Sequence, residues 1–129
     1  MVTRDEVLKG RERDYPLSPE LLENLDKLLD AVNKLRLAYG KPFIITSGYR
    51  PGHFNKNVNG AKKSAHMTCE AVDIKDDSNG TLAKWCLANL NLLEQFGLYM
   101  ESPIATQEPP SKFWIHIQVR PTKNRVFLP

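Results

Sequence analysis

From Phe113 to Val119 the chain alternates without a break. Phe113, Ile115, Ile117 and Val119 hold one parity, and Trp114, His116 and Gln118 the other. Side chains of a strand point alternately to its two faces, so this segment predicts a sheet with an apolar side and a polar side. Two shorter segments repeat the pattern. In 71–74, Val72 and Ile74 take the apolar parity and Asp73 the other; in 98–101, Leu98 and Met100 face inward while Tyr99 and Glu101 face out. One sheet built from the three presents Asp73, Glu101 and His116 on a common face. His66 lies seven residues before Asp73, placed to fold back over it.

The remaining chain supplies cover for the apolar side. Ser18 is a good helix N-cap, Pro19 fits the first helical position, and Gly40 stands where a C-cap ends the helix. Between them Leu21, Leu22, Leu25, Leu28, Leu29, Val32 and Leu35 recur in steps of three and four, which predicts one apolar stripe. A strand is expected over 43–47, a polar loop over 49–64 and a turn at 76–80. A second helix over 81–93 turns Leu82, Trp85, Cys86, Leu90 and Leu93 to the core, and a loop follows over 102–111. Mixed helices and strands with short later connections predict an α+β fold, a small antiparallel β-sheet with helices packed on one face. A chain of 129 residues is expected to form one domain, with 1–17 as an arm or short helix, 18–120 as the core and 121–129 as a tail.

Charge and composition exclude several classes. With 41% hydrophobic and 26% charged residues the chain is neither a disordered tail nor, given apolar runs only a few residues long, a membrane span. A net charge of +3, with Lys62, Lys63, Arg120, Lys123 and Arg125 not interleaved with aromatics, gives no basis for nucleic-acid binding. Two cysteines, Cys69 and Cys86, cannot build a disulfide framework. The expectation is a reduced monomer, cytoplasmic as synthesised, with no secretory signal after Met1 and no membrane or nucleic-acid partner.

Two histidines and an aspartate on one face match zinc chemistry. Zinc takes imidazole nitrogen and carboxylate oxygen, and three protein ligands leave a fourth position for water, whose pKa falls toward ~7. Glu101 could then take the proton. Alternation alone leaves the plainer reading open, in which the histidines hold no metal and the aspartate is a local acceptor. His53, in a Gly/Asn-rich loop, reads as solvated.

The segment Ser64-Ala65-His66-Met67-Thr68-Cys69-Glu70-Ala71-Val72-Asp73 resembles the Ser-x-His-x-x-Gly-x-Ala-x-Asp motif of zinc D-Ala-D-Ala carboxypeptidases and L-alanyl-D-glutamate endopeptidases, the VanX/VanY-type peptidoglycan peptidases that include phage endolysins. Ile45-Thr46-Ser47-Gly48-Tyr49-Arg50 is similar to the family's strand ending in a functional Arg, and Trp114-Ile115-His116-Ile117 to its Trp-x-His zinc strand. The three blocks keep the family order across about residues 20–120. The resemblance implies His66, Asp73 and His116 as Zn2+ ligands and Arg50 as the group that polarises the scissile carbonyl or holds substrate. Ser64 then holds a substrate group or is only a turn hydroxyl, and Arg50 reads alternatively as a surface ion-pair partner. Tyr49, Trp114 and Gln118 join Ser64 as expected substrate contacts. Two positions depart from the pattern. Cys69 replaces the motif Gly, which places a Cβ in the turn and leaves open a thiolate near the metal. Phe113 occupies the position where several relatives carry the basic Glu, so the base falls to Glu101, with Glu108 in reserve.

The implied function is a zinc metallopeptidase acting on peptidoglycan stem peptides. No signal segment and a small size fit release to the cell wall by a phage-type lysis route, and fit equally a cytoplasmic dipeptidase. The short stretch 52–63 reads as one side of an open groove. The rival is a catalytically silent module of the related Hedgehog zinc fold, binding cell wall or a protein partner.

Overall fold

The computed structural model describes residues 1–51, 64–108 and 112–128. Five helices, α1 (Arg4–Leu8), α2 (Pro19–Tyr39), α3 (Thr81–Ala88), α4 (Leu90–Phe96) and α5 (Pro103–Thr106), accompany six strands among these residues. The strands are β1 (Ile45–Ser47), β2 (Ala71–Lys75), β3 (Tyr99–Glu101), β4 (Gln107–Glu108), β5 (Lys112–Gln118) and β6 (Val126–Phe127). The sheet runs β1-β2-β5-β3-β6, with β4 paired to the first residues of β5. Every pairing is antiparallel except that of β6 with β3. The fold is α+β, as the strand alternation and the helical stripe predict.

Helix α2 begins where its cap chemistry directs. Ser18 Oγ accepts from the Leu21 amide, Pro19 opens the first turn, and Gly40 closes the helix at φ 82°. Leu25, Leu28, Val32 and Leu35 are fully buried against the apolar face of the sheet, formed by Val72, Ile74, Met100, Ile115 and Ile117. Leu22 falls off that stripe and stays exposed. The helix expected over 81–93 is two helices. The backbone breaks at Asn89 (φ −127°, ψ 39°), whose side-chain amide donates to Trp85 O, and the second piece runs on to Gly97.

The first seventeen residues are not a loose arm. Val2, Val7 and Leu8 are core residues, and Val2 exchanges two hydrogen bonds with the Asn33 amide. Val7 O accepts from Tyr49 N at 2.9 Å, and a Cβ on Gly48 would stand 2.2 Å from that same carbonyl. Residue 48 must therefore be glycine for α1 to lie against β1. The far end of the chain is likewise structured. Val126 and Phe127 lie beside Met100 and Glu101, so the expected tail contributes an edge strand. The stretch expected to be a loop over 102–111 contains α5 and β4.

Candidate metal centre

His66 rides on a short 3-10 turn (Ala65–Thr68) between β1 and β2. Ser64 caps this turn, its Oγ accepting from His66 N at 3.2 Å, which is the turn-hydroxyl alternative. The turn ends at Cys69 in the left-handed region, φ 59°. That conformation costs a residue with a Cβ ~1–2 kcal/mol, which explains why the related motif carries glycine here. Cys69 adopts it nonetheless and buries its side chain in the core. Burial, aided by the charge of Glu70, pushes its thiol up to about 12. It takes no part in the cluster of donor atoms described next, so the thiolate alternative is not supported.

Asp73 projects from β2 and His116 from β5, facing each other across the ladder. Asp73 Oδ1 lies 3.2 Å from His66 Nε2 and 3.0 Å from His116 Nδ1. The ligand atoms of all three residues fall within 4.8 Å of one another, and among the described residues no other set of His, Cys, Asp and Glu does so. A tetrahedral zinc ion with bonds of ~2.05 Å has donors about 3.3 Å apart, close to the two measured separations. The three residues are 1%, 8% and 9% exposed, in the order His66, Asp73, His116.

The outward nitrogens decide what the inward ones offer. His66 Nδ1 lies 2.8 Å from Gly48 O, which can only accept, so Nδ1 carries the proton and Nε2 presents a lone pair. That Nε2 is buried and has no hydrogen-bond partner. His116 Nε2 lies 2.7 Å from Gln118 Oε1, so its proton sits there and Nδ1 faces the aspartate. Two lone pairs and a carboxylate oxygen thus converge on one point. Without a cation they repel, and a divalent metal at their centre relieves that repulsion. The donor set, its burial and the orphaned nitrogen fit zinc.

Titration directions follow the burial and charges of the cluster. Burial lowers the pKa of His66, keeping its imidazole neutral. Burial would likewise lower His116, but its hydrogen bond to Asp73 and the charge there outweigh it, and the net direction is up. For Asp73 burial raises, hydrogen bonds that the protonated rings of His116 and His66 would donate oppose it, and the carboxyl settles at about 2.

Glu101 and Arg50 border the cluster. The β3–β5 register, Tyr99 to Gln118 and Met100 to Ile117, continues to set Glu101 beside His116. Glu101 is half-buried, and burial raises its pKa, with His116 and Arg50 pulling against and Asp73 adding to the rise. Arg50 donates its backbone amide to His66 O at 3.0 Å, and its Nε is buried without a hydrogen-bond partner. Burial lowers its pKa while the nearby carboxylates of Asp73 and Glu101 hold it up. The residue is half-buried.

The other expected contacts divide. Trp114 is half-buried on the polar side of β5, opposite Lys75. Tyr49 is a core residue, 4% exposed, its hydroxyl donating to Tyr15 O. Gln118 is 5% exposed with both ends of its amide bonded. The side chain of Glu108, His53, Lys62, Lys63 and the groove expected at 52–63 lie outside the described residues. One neighbour escaped the sequence reading. Phe127 meets the His116 ring edge-on, centroids 6.0 Å apart at 86°, from a two-residue strand too short to show a period.

A family model described as Peptidase M15 matches residues 5–104. The chain belongs to the peptidase M15 family. That match includes Arg50, His66, Asp73 and Glu101 but ends before His116, which the geometry brings to His66 and Asp73. M15 peptidases are zinc enzymes, and this member carries a His66–Asp73–His116 group able to hold the metal. No curated protein matches the chain. Among the described residues no helix of this M15 protein is long and apolar enough to cross a membrane.

Proposed function

We propose that residues 1–129 act as one peptidase domain that hydrolyses amide bonds in peptidoglycan stem peptides with zinc as its cofactor, as a D-Ala-D-Ala carboxypeptidase or an L-alanyl-D-glutamate endopeptidase. The observation that carries this reading is the convergence of two imidazole lone pairs on Asp73 with a half-buried carboxylate, Glu101, one strand away. When bound, zinc supplies a Lewis acid and lowers the pKa of water. His66, Asp73 and His116 hold it.

Glu101 acts as the base: its raised pKa suits a carboxylate that takes a proton from the attacking water and returns it to the leaving amine. Arg50 sits where a planar cation stabilises the oxyanion that grows on the scissile carbonyl. Trp114 and Phe127 flank the histidine on the polar face and form apolar walls for the peptide. The choice of stem peptides rests on the three-block resemblance, with Ser64, Arg50 and the Trp-x-His strand in family order.

The test is amine release from purified cell wall and from a D-Ala-ended peptide, with and without chelator, for wild type and Glu101→Gln. Zinc-dependent release that falls by ~10²–10⁴ in the variant, with zinc binding unchanged, is the expected result. Zinc binding with no hydrolysis of any stem peptide would instead favour the silent Hedgehog-like module, whose support is Phe113 at the usual position of the base.

A further inference from the structure

We propose that Gln118 is the positioning residue of the metal centre: it fixes the tautomer of His116, so that Nδ1 and not Nε2 faces the metal. The inference rests on the zinc reading above and adds a residue that acts through a ligand. Its first support is direction. Gln118 Nε2 donates to Arg120 O at 2.9 Å. A carbonyl can only accept, so the amide nitrogen must stand there, and Oε1 is left to face His116 Nε2 at 2.7 Å. An oxygen at that place requires a proton on Nε2, which commits the other nitrogen to Asp73.

Its second support is anchoring. Arg120 reaches back to the turn that carries His66, its Nε donating to Glu70 Oε1 at 3.2 Å and its Nη2 to Thr68 Oγ1 at 2.7 Å. Val119 N donates to Glu70 O at 2.9 Å beside them. The carbonyl that orients Gln118 is thereby tied to the segment holding the first histidine. One chain of bonds runs from the 3-10 turn through Arg120 and Gln118 to His116.

Its third support is what the fold does not need. The strand itself does not require an amide here: β5 pairs through its backbone, and the buried amide is satisfied only because both its ends are bonded. His66 is set in the opposite tautomer by a backbone carbonyl, Gly48 O, which no substitution removes. His116 depends on a side chain, and that side chain is Gln118.

The experiment reads both nitrogens of His116 by 15N NMR of the full chain, first zinc-free at a pH where the ring is neutral, then with zinc. It also measures zinc affinity by competition with a chelating dye. Wild type is expected to carry the His116 proton on Nε2 in both states. Gln118→Leu is expected to mix or invert the tautomers and to weaken zinc binding ~10–100-fold. Wild type with its His116 proton on Nδ1 overturns the proposal even if the Leu variant fails to fold. So does a Leu variant with wild-type tautomer and affinity. A wild type that binds no zinc defeats the zinc reading, while the zinc-free spectra still decide whether Gln118 sets the tautomer.

Discussion

Two aspartates three residues apart, Asp73 and Asp76, are both buried, and they are expected to fail in opposite ways. Asp76 caps α3 from the end of β2. Its Oδ1 accepts from Leu82 N at 2.9 Å and Asp77 N at 2.8 Å, and its Oδ2 from Ala83 N at 2.9 Å. Gly80, at the N-cap position itself, offers no side chain, so these bonds, with that of Thr81 N to Asp77 Oδ1 at 3.0 Å, are the helix start. Asp76→Ala strands two buried amides, at Leu82 and Ala83; at ~1–2 kcal/mol each the loss is about 2–4 kcal/mol. Asp76→Asn keeps one oxygen and is expected to lose about half of that. With a urea m-value of ~1–3 kcal/mol/M, the Ala midpoint falls by about 1–2 M. The assay is urea unfolding followed by far-UV circular dichroism in the presence of chelator, with zinc affinity measured separately on folded protein. Asp76→Ala is expected to lose stability and keep zinc affinity within about threefold, and Asp73→Asn to lose zinc. A midpoint shift under ~0.3 M for Asp76→Ala, at unchanged m, would refute the capping argument.

Free zinc at ~100 times its dissociation constant is expected to add about 2.7 kcal/mol to stability. A melting temperature that does not fall on chelation of the zinc-loaded protein would show that the folded site holds no metal. Cys69 and Cys86, both pushed up to about 12 by burial, are expected to resist alkylation at pH 8 in the folded protein and to react in denaturant; rapid labelling of either in native buffer contradicts that burial. Gly48→Ala places a methyl 2.2 Å from Val7 O, so α1 must leave β1. The expected outcome is a fall in melting temperature of at least ~10 °C, and a near-normal melt would mean that α1 does not pack as described.

What a sequence exposes is periodicity within a segment, and the residues read that way fell into place. Leu25, Leu28, Val32 and Leu35 line the core, and Asp73 and His116 share a face because strand parity is local information. The bland reading offered for Asp73, a local acceptor, turned out to describe Asp76, which stands three residues on at the start of the turn. Contacts between distant segments left no such mark. Nothing in Val2 or Val7 announces Asn33 or Gly48 as partners, so residues 1–17 looked peripheral. Gln118 and Tyr49 were placed on the site by parity and by motif, yet parity gives a direction and not a bond. The amide of Gln118 is consumed by His116 and Arg120 before any substrate arrives, and Tyr49 turns toward Tyr15. Asn89 broke a helix whose apolar spacing runs on through the break.

The close seat of Val7 on Gly48 has a consequence for anyone dividing this protein. The carbonyl that aims His66 belongs to Gly48, and Gly48 is held by the amino-terminal helix through the Val7–Tyr49 bond. A fragment begun at residue 18 would keep His66, Asp73 and His116 and yet leave the first imidazole unsteered. The smallest working unit therefore reaches back to Val2.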